Sequence, residues 1–238
     1  MTKLMLKFDT TKKIEDYVKS KYPQEAGGFI HGGDFLPLEN ISLTPDKEYA
    51  VNPNDIPLEF DAIIHSHTNG LLVPSKEDML SQIRLDTTAG LLTCTNTRAS
   101  LILWWGKGID IPPLIGREFR AGPTGSDGRG DCYALIRDWY RLNRQVDLME
   151  FPRDEHWWEF GDNLYRGGYE DAGFVRIKQE DIQIGDVFLA QIRSKVPNHG
   201  GIYVGNGLVL HHLERRLSRR DPIGPYSRYV THWLRYVG

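Results

Sequence analysis

The order of apolar and polar residues along the first half of the chain predicts short helices and strands. Ile14, Tyr17 and Val18 recur at helical spacing and predict a helix from Asp9 or Thr10 to about Ser20. A second helix is predicted from Ser75 to about Arg84. Apolar runs predict strands at 26–31, at 36–51 (one or two strands, interrupted by Pro37 and Pro45), at 60–67, and at 91–95 and 99–105, which the turn 96–98 joins.

The second half opens with a stretch rich in Gly and Pro at 106–116, which predicts a linker and a domain boundary. Apolar residues from Cys132 onwards recur at the spacing of a helix that packs on one side. Gly205-Asn206-Gly207 separates two apolar runs and indicates a tight β-hairpin over 198–211. We therefore predict an α+β chain of two domains, 1–108 and 119–238, with a linker at 109–118.

Composition places few further limits on the chain. It has 238 residues, of which 40% are hydrophobic and 26% charged, and this is typical of a globular protein. The net charge of −3 gives no general attraction to nucleic acid or to a membrane surface, and we expect neither as a partner. We also expect no transmembrane helix and no signal peptide. The two cysteines, Cys94 and Cys132, lack a disulfide or metal-site spacing and fit a reducing compartment.

A metal-site pattern follows the strand predicted at 60–67. His65-Ser-His67 places two imidazoles on the same side of a strand, and Asp78 lies on the helix that comes next. Two histidines and one carboxylate leave a fourth coordination position open, as catalytic zinc requires. The structural alternative is a polar end to the strand, with Ser75 and Asp78 as an ordinary helix cap. A cap and a metal site are compatible, because the cap fixes where Asp78 points.

At these residues the chain resembles the JAMM (MPN-type) zinc metallopeptidases, whose motif is an upstream Glu, then H-x-H, seven residues and S-x-x-D. The resemblance implies a mixed sheet flanked by helices, and a Zn²⁺ ion held by His65, His67 and Asp78. It also implies that Glu25 holds and deprotonates the attacking water, and that Ser75 donates a hydrogen bond to the oxyanion. Thr68 departs from the family, which usually has Pro at this position, but it is not a ligand.

The second half contains a candidate nucleophile. Cys132 stands at the start of its predicted helix, where the free N–H groups favour a thiolate and can form an oxyanion hole. The tight hairpin places His199 and His211 side by side at one end of two strands. A cysteine, a histidine base and a second polar group that orients the base are the components of a nucleophilic triad. The alternatives are a buried thiol and a hairpin with two incidental histidines.

These residues resemble the NlpC-type papain-like cysteine peptidases, in which Asp-Cys opens a helix and His-x-Gly begins a hairpin. The resemblance implies a helix packed on an antiparallel sheet, with Cys132 as nucleophile, His199 as base and His211 as the orienting third member. Two departures concern substrate specificity. Tyr133 replaces the usual small residue after the cysteine, and Phe119 stands near the place of a substrate-contacting Tyr but lacks its hydroxyl.

Two further segments have open interpretations. Trp157-Trp158 stands in a polar setting and either lines a substrate cleft, docks a partner or anchors a long excursion of the chain. The basic run Arg215–Arg220 is interpreted as a solvated turn, with binding of phosphate or an acidic partner as the alternative.

The two motifs in this order and length resemble the tail-assembly protein K family of lambda-like phages. The resemblance implies a protein of the phage tail tip with peptidase activity. Its substrates would be stem peptides of peptidoglycan or a tail protein, and its partners other tail-tip proteins. It implies a location in the host cytoplasm during assembly, with the virion tail tip as a further place. The alternatives are a scaffold whose sites do not cut, a protease that processes a tail protein, and a deubiquitinase-like enzyme suggested by the JAMM half alone.

Overall fold

The computed structural model describes residues 3–238, and these form two compact units. The first unit reaches to Asp110 and also includes Gly125–Asp127, whereas the second comprises Ile111–Thr124 and Gly128–Gly238. Each unit contains one β-sheet and few helices, so the predicted α+β class is confirmed. The domain assignments 1–108 and 119–238 stay predictions. In the part of the chain described, no helix has the length and apolar character that a membrane crossing requires.

The first unit is a five-stranded mixed sheet flanked by helices. Its elements are α1 (Thr10–Lys21), β1 (Gly27–His31), β2 (Asp34–Leu38), β3 (Ala62–His67), α2 (Lys76–Leu85), β4 (Thr88–Thr93) and β5 (Leu103–Gly106). The strand order is β2-β1-β3-β4-β5. Only β3 and β4 run parallel, and α2 connects them, as a parallel pair requires.

Alternation along β3 separates the core of the first unit from its candidate site. Ala62, Ile64 and Ser66 are fully or almost fully buried, and the two aliphatic residues pack with Ile14 and Val18 of α1. Because successive side chains of a strand point to opposite faces, His65 and His67 share the other face. Gly27 pairs with His65, and a Cβ at Gly27 would lie 2.1 Å from the carbonyl oxygen of Ile64. The sheet therefore requires glycine beside the first histidine.

The strand predicted at 36–51 is wrong beyond Leu38. Beyond Leu38 the Asn40 side chain takes the place of backbone hydrogen bonds between strands, because its amide donates to the carbonyls of Glu25 (2.9 Å) and Glu48 (2.8 Å). Its oxygen accepts from the backbone N–H groups of Ser42 (3.0 Å) and Ala50 (3.1 Å). A short polar side chain that satisfies backbone groups in this way competes with strand pairing.

The second unit packs one long helix on a six-stranded antiparallel sheet. Its elements are α3 (Cys132–Arg144), α4 (Leu164–Gly168), β6 (Phe174–Ile177), β7 (Val187–Ala190), β8 (His199–Gly205), β9 (Leu208–His211), β10 (Arg219–Pro222) and β11 (Val230–Tyr236). The strand order is β10-β9-β8-β7-β11-β6. The helix α3 packs mainly against β8, and Leu135, Ile136 and Trp139 enter the core between them.

The hairpin of β8 and β9 follows the prediction. Gly205, Asn206 and Gly207 all have positive φ (94°, 53° and 70°), which suits glycine and is tolerated by asparagine. Gly201 pairs with His211, and a Cβ at Gly201 would lie 2.6 Å from the carbonyl oxygen of Leu210. The glycine therefore allows β8 and β9 to approach closely beside His211.

The solvated turn predicted for Arg215–Arg220 is wrong in its second half. Arg219 and Arg220 belong to β10, which pairs antiparallel with β9 and places Arg219 opposite His211. A charged edge strand gives little hydrophobic signal, because its outward residues remain in water. The strand extends the sheet beyond the hairpin and brings Asp221 into the unit.

Candidate active sites

Cys132 opens α3 and is held by the residue before it. The Asp131 carboxylate caps the helix by accepting from the backbone N–H of Ala134 (2.9 Å), and it also accepts from Gly122 N–H (3.1 Å). Arg153 donates to both oxygens of this carboxylate, at 2.7 and 2.9 Å. The Cys132 side chain is therefore fixed at a helix N-terminus by a buried ion pair.

The thiol lies in an environment that favours its neutral form. Burial, followed by the charge of Asp131, raises the pKa of Cys132 to about 11. The Tyr165 hydroxyl lies 3.0 Å from Sγ and acts in the opposite direction, because a hydrogen bond to the thiolate stabilises it. At neutral pH the nucleophile candidate is consequently a thiol in contact with a phenol.

His199, His211 and Asp221 form a continuous chain of hydrogen bonds. Nε2 of His199 lies 3.0 Å from Nδ1 of His211, and Nε2 of His211 lies 3.1 Å from Oδ2 of Asp221. Burial keeps the pKa of His199 well below its usual value, and burial also lowers the pKa of His211 despite the opposing carboxylate. Both imidazoles are therefore neutral at neutral pH.

Cys132 and His199 line one cavity of about 570 Å³ in the second unit. Its walls contain many aromatic side chains, including Trp157 and Trp158, whose role the sequence analysis left open. Phe119 also lines the cavity, and its ring contacts His212 edge-on at 5.3 Å. The remaining aromatic lining is Tyr133, Phe151, Tyr165, Tyr169, Phe174, Tyr226 and Tyr229. A cavity of this size and lining suits a small peptide segment.

The first unit brings the three predicted zinc ligands, His65, His67 and Asp78, close to Glu25, the predicted base. Ligand atoms of Glu25, His65 and His67 all lie within 4.8 Å of one another. Nε2 of His65 lies 3.1 Å from one oxygen of Asp78, and Nε2 of His67 lies 3.2 Å from the other. Two imidazole nitrogens and two carboxylates that converge in this way form a donor set suited to zinc.

Neighbouring groups orient these candidate ligands. Nδ1 of His67 lies 3.2 Å from the carbonyl of Leu71, which fixes the ring with Nε2 towards the cluster, and Tyr49 stacks on His65 at 5.9 Å. Burial favours neutral Asp78, but the two histidines outweigh it and lower the pKa of this carboxyl. Burial raises the pKa of Glu25, which is 4% exposed. The cluster thus combines a firmly ionised carboxylate with a more basic one.

Ser75 forms a capping box with Asp78. Its hydroxyl oxygen accepts from Asp78 N–H (3.1 Å), while its own N–H donates to Oδ2 of Asp78 (2.7 Å). The cap and the candidate ligand are therefore the same carboxylate, and the two interpretations given by the sequence coexist. The hydroxyl hydrogen of Ser75 takes no part in this box.

Comparison with known proteins assigns the chain to a family. A sequence profile described as the NlpC/P60 family matches residues 116–235. Tail tip assembly protein K of Escherichia phage lambda is 36% identical over 177 residues, which cover 74% of this chain and 78% of that protein. The chain belongs to the NlpC/P60 family and to the family of tail tip assembly protein K.

A second relative and two solved structures are also similar to the chain. The protein of the same name from Escherichia phage N15 is 27% identical over 245 residues, which cover 93% of this chain and 91% of that one. A lipoprotein-like NLP/P60 protein of Staphylococcus aureus has 15% identity and a TM-score of 0.40, and the match covers 52% of this chain and 38% of that one. NlpC1 of Trichomonas vaginalis has 16% identity and a TM-score of 0.37, and the match covers 57% of this chain and 54% of that one.

Sequence reasoning missed two groups in this NlpC/P60 unit. Asp221 follows a basic run that was interpreted as a solvated turn, although an acidic residue after a hairpin could have suggested a third strand. Tyr165 lies on the short helix α4, where no sequence pattern indicated a contact with Cys132. The predicted residues Cys132, His199 and His211 are all in the second unit, and their catalytic roles stay predictions.

The raised pKa of Cys132 predicts how this NlpC/P60 protein reacts with iodoacetamide. Only the thiolate is alkylated, and below a pKa of about 11 its fraction rises about tenfold per pH unit. The alkylation rate of Cys132 should therefore climb steadily from about pH 6 to about pH 10. Mass spectrometry of the peptide containing Cys132 after timed exposures measures this rate. A rate that is already constant below neutral pH would show a preformed thiolate–imidazolium pair instead.

Proposed function

We propose that the second unit is a cysteine peptidase that hydrolyses amide bonds in the stem peptides of peptidoglycan, and that it acts within tail-tip assembly. The main support is the placement of Cys132 and His199 on one cavity, with His211 behind His199. The two named relatives are tail tip assembly proteins, which supports a place among other tail-tip proteins. The host cytoplasm and later the tail tip are the locations that this role implies.

The proposed reaction starts from a neutral thiol and a neutral imidazole. Sγ of Cys132 attacks the carbonyl carbon of the scissile amide while His199 accepts the thiol proton. Nε2 of His199 already faces His211, so Nδ1 is the nitrogen left for this proton. The backbone N–H groups at the start of α3 stabilise the oxyanion that develops.

Collapse of this intermediate expels the amine. The proton that His199 holds passes to the leaving nitrogen, and Sγ remains bound to the acyl group as a thioester. A water molecule then attacks the thioester, with His199 as base, and releases a carboxylic acid and the free thiol. The aromatic walls of the cavity, including Trp157, support the substrate around the scissile bond.

We further propose that the first unit is a JAMM-type metallopeptidase domain that cleaves a peptide or isopeptide bond. His65, His67 and Asp78 would hold Zn²⁺, and this assignment is supported by the short distances from the Asp78 oxygens to Nε2 of both histidines. Bound zinc polarises a carbonyl and makes water more acidic. Glu25 accepts a proton from the attacking water and returns it to the leaving amine, and its raised pKa suits this exchange. The Ser75 hydroxyl donates to the oxyanion.

The cysteine site is tested with Gram-negative sacculi. The intact chain should release stem-peptide fragments, and Cys132→Ala should lower the rate by at least about a thousandfold, because removal of a nucleophile eliminates the covalent route. Mass spectrometry of the soluble products identifies the bond that is cut. Cys94→Ala is the matched control, since Cys94 is a buried cysteine of the first unit and should leave the rate unchanged.

Three results of this assay would contradict the proposed function of the second unit. Equal release by Cys132→Ala would exclude Cys132 as the nucleophile. Loss of release in Glu25→Gln alone would transfer the activity to the first unit. No release by the folded, zinc-loaded chain would contradict wall hydrolysis and would favour processing of a tail protein or a scaffold role.

The zinc assignment is tested by equilibrium dialysis and elemental analysis. The intact chain should take up one zinc ion, and His67→Ala should weaken binding by more than the roughly 10–100-fold that loss of an outer-shell partner costs. His31→Ala is the control, because His31 is an exposed histidine at the end of β1. Equal uptake by both variants would show that the cluster is not the zinc site.

A further inference from the structure

Asp221 ends the hydrogen-bonded chain that starts at His199. Its side chain is 16% exposed, and its Oδ2 atom receives hydrogen bonds from His211, from Nε of Arg219 (2.9 Å) and from the Tyr226 hydroxyl (3.0 Å). The ring of Tyr226 also packs edge-on against His211, with the ring centres 4.8 Å apart. The carboxylate is thus fixed on one side of His211 by two donors other than the histidine.

A carboxylate that only accepts hydrogen bonds dictates where the protons of the two histidines lie. Because Oδ2 of Asp221 accepts, Nε2 of His211 must carry hydrogen. In a neutral ring, Nδ1 of His211 then has the lone pair, so Nε2 of His199 must carry the hydrogen between the two rings. Nδ1 of His199 is consequently the unprotonated nitrogen.

We infer that Asp221 is a positioning residue that sets the tautomer of His199 through His211, so that a lone pair is available for the Cys132 proton. This role rests on the proposed peptidase function. In the simpler arrangement of a triad, the third residue contacts the base directly and fixes its tautomer. A neutral histidine in the third position can donate or accept at either nitrogen, so it cannot specify a tautomer by itself. Asp221 determines the tautomer of His211, and through it that of His199.

The same carboxylate stabilises the charge that forms during the reaction. When His199 takes the thiol proton it becomes an imidazolium, and its Nε2–H donates to His211. His211 is polarised in turn by Asp221, so the negative charge acts on the base through one intervening ring. Arg219 and Tyr226 keep Oδ2 in line with Nε2 of His211.

The direct test is the ¹⁵N spectrum of the imidazole rings in the full-length protein. Protonated and unprotonated ring nitrogens have distinct shifts, so the spectrum reports the tautomer independently of activity. The intact chain should show His199 with hydrogen on Nε2 alone. Asp221→Ala should show mixed tautomers for His199 and His211. An unchanged His199 tautomer in Asp221→Ala would overturn the inference.

Two further variants separate this role from a structural one. Asp221→Asn should keep the wild-type tautomer, because its amide oxygen can face the same three donors. If Asp221 only balanced the charge of Arg219, the Asn and Ala variants would be equally impaired. Arg220→Ala controls for the fold, because Arg220 is an exposed residue of the same strand and should leave the spectrum unchanged.

Kinetics complete the test. With a released stem peptide as substrate, Asp221→Ala should lower kcat by on the order of tenfold and leave KM nearly unchanged, because Asp221 acts on the base and not on substrate binding. Asp221→Asn should recover most of the rate. One outcome is a protein that lacks peptidase activity while its His199 tautomer still depends on Asp221. This result would support the inference about Asp221 and contradict the proposed peptidase function. Failure of the inference and failure of the proposed function are therefore distinguishable.

Discussion

The Asp131 carboxylate joins three separate segments of the second unit, and the position of Cys132 depends on it. It caps α3, accepts a hydrogen bond from Gly122 and forms a two-pronged ion pair with Arg153. A helix cap alone contributes about 1 kcal/mol, whereas loss of one partner from a buried ion pair costs about 3–5 kcal/mol. The pair with Arg153 therefore dominates, and it ties the start of α3 to the segment that leads to Trp157 and Trp158 in the wall of the cavity.

Burial explains the chemical state of the proposed cysteine centre. In a buried site, separation of charge is unfavourable, and the thiol of Cys132 and the imidazole of His199 are both kept neutral. Proton transfer must then accompany attack, so the tautomer of the base matters more than it would in a preformed ion pair. A site of this kind needs an acceptor at the far end of its histidine chain, and Asp221 is placed there by an edge strand. The first unit differs, because Asp78 is ionised between two histidines.

Local signals in the sequence were sufficient for the elements that place Cys132, His199 and His211. The spacing of apolar residues predicted α3, and Gly205-Asn206-Gly207 predicted the hairpin, because both depend on neighbouring residues only. The capping pair Ser75 and Asp78 was similarly local. The positions of Asp221 and Tyr165 depend on strand pairing and on packing between distant segments. A charged edge strand and a five-residue helix give no local sequence pattern from which these contacts can be predicted. The strand predicted at 36–51 was wrong for the same reason, because the Asn40 side chain bonds to the backbone of residues that lie elsewhere in the sequence.

A covalent intermediate on Cys132 tests the central claim most directly. During turnover of stem peptides, an acid quench followed by digestion and mass spectrometry should reveal an acyl group on the peptide that contains Cys132. The peptide that contains Cys94 should remain unmodified, because this thiol lies in the core of the first unit. Hydrolysis at an undiminished rate in Cys132→Ala, or an acyl group on any other residue, would contradict the account.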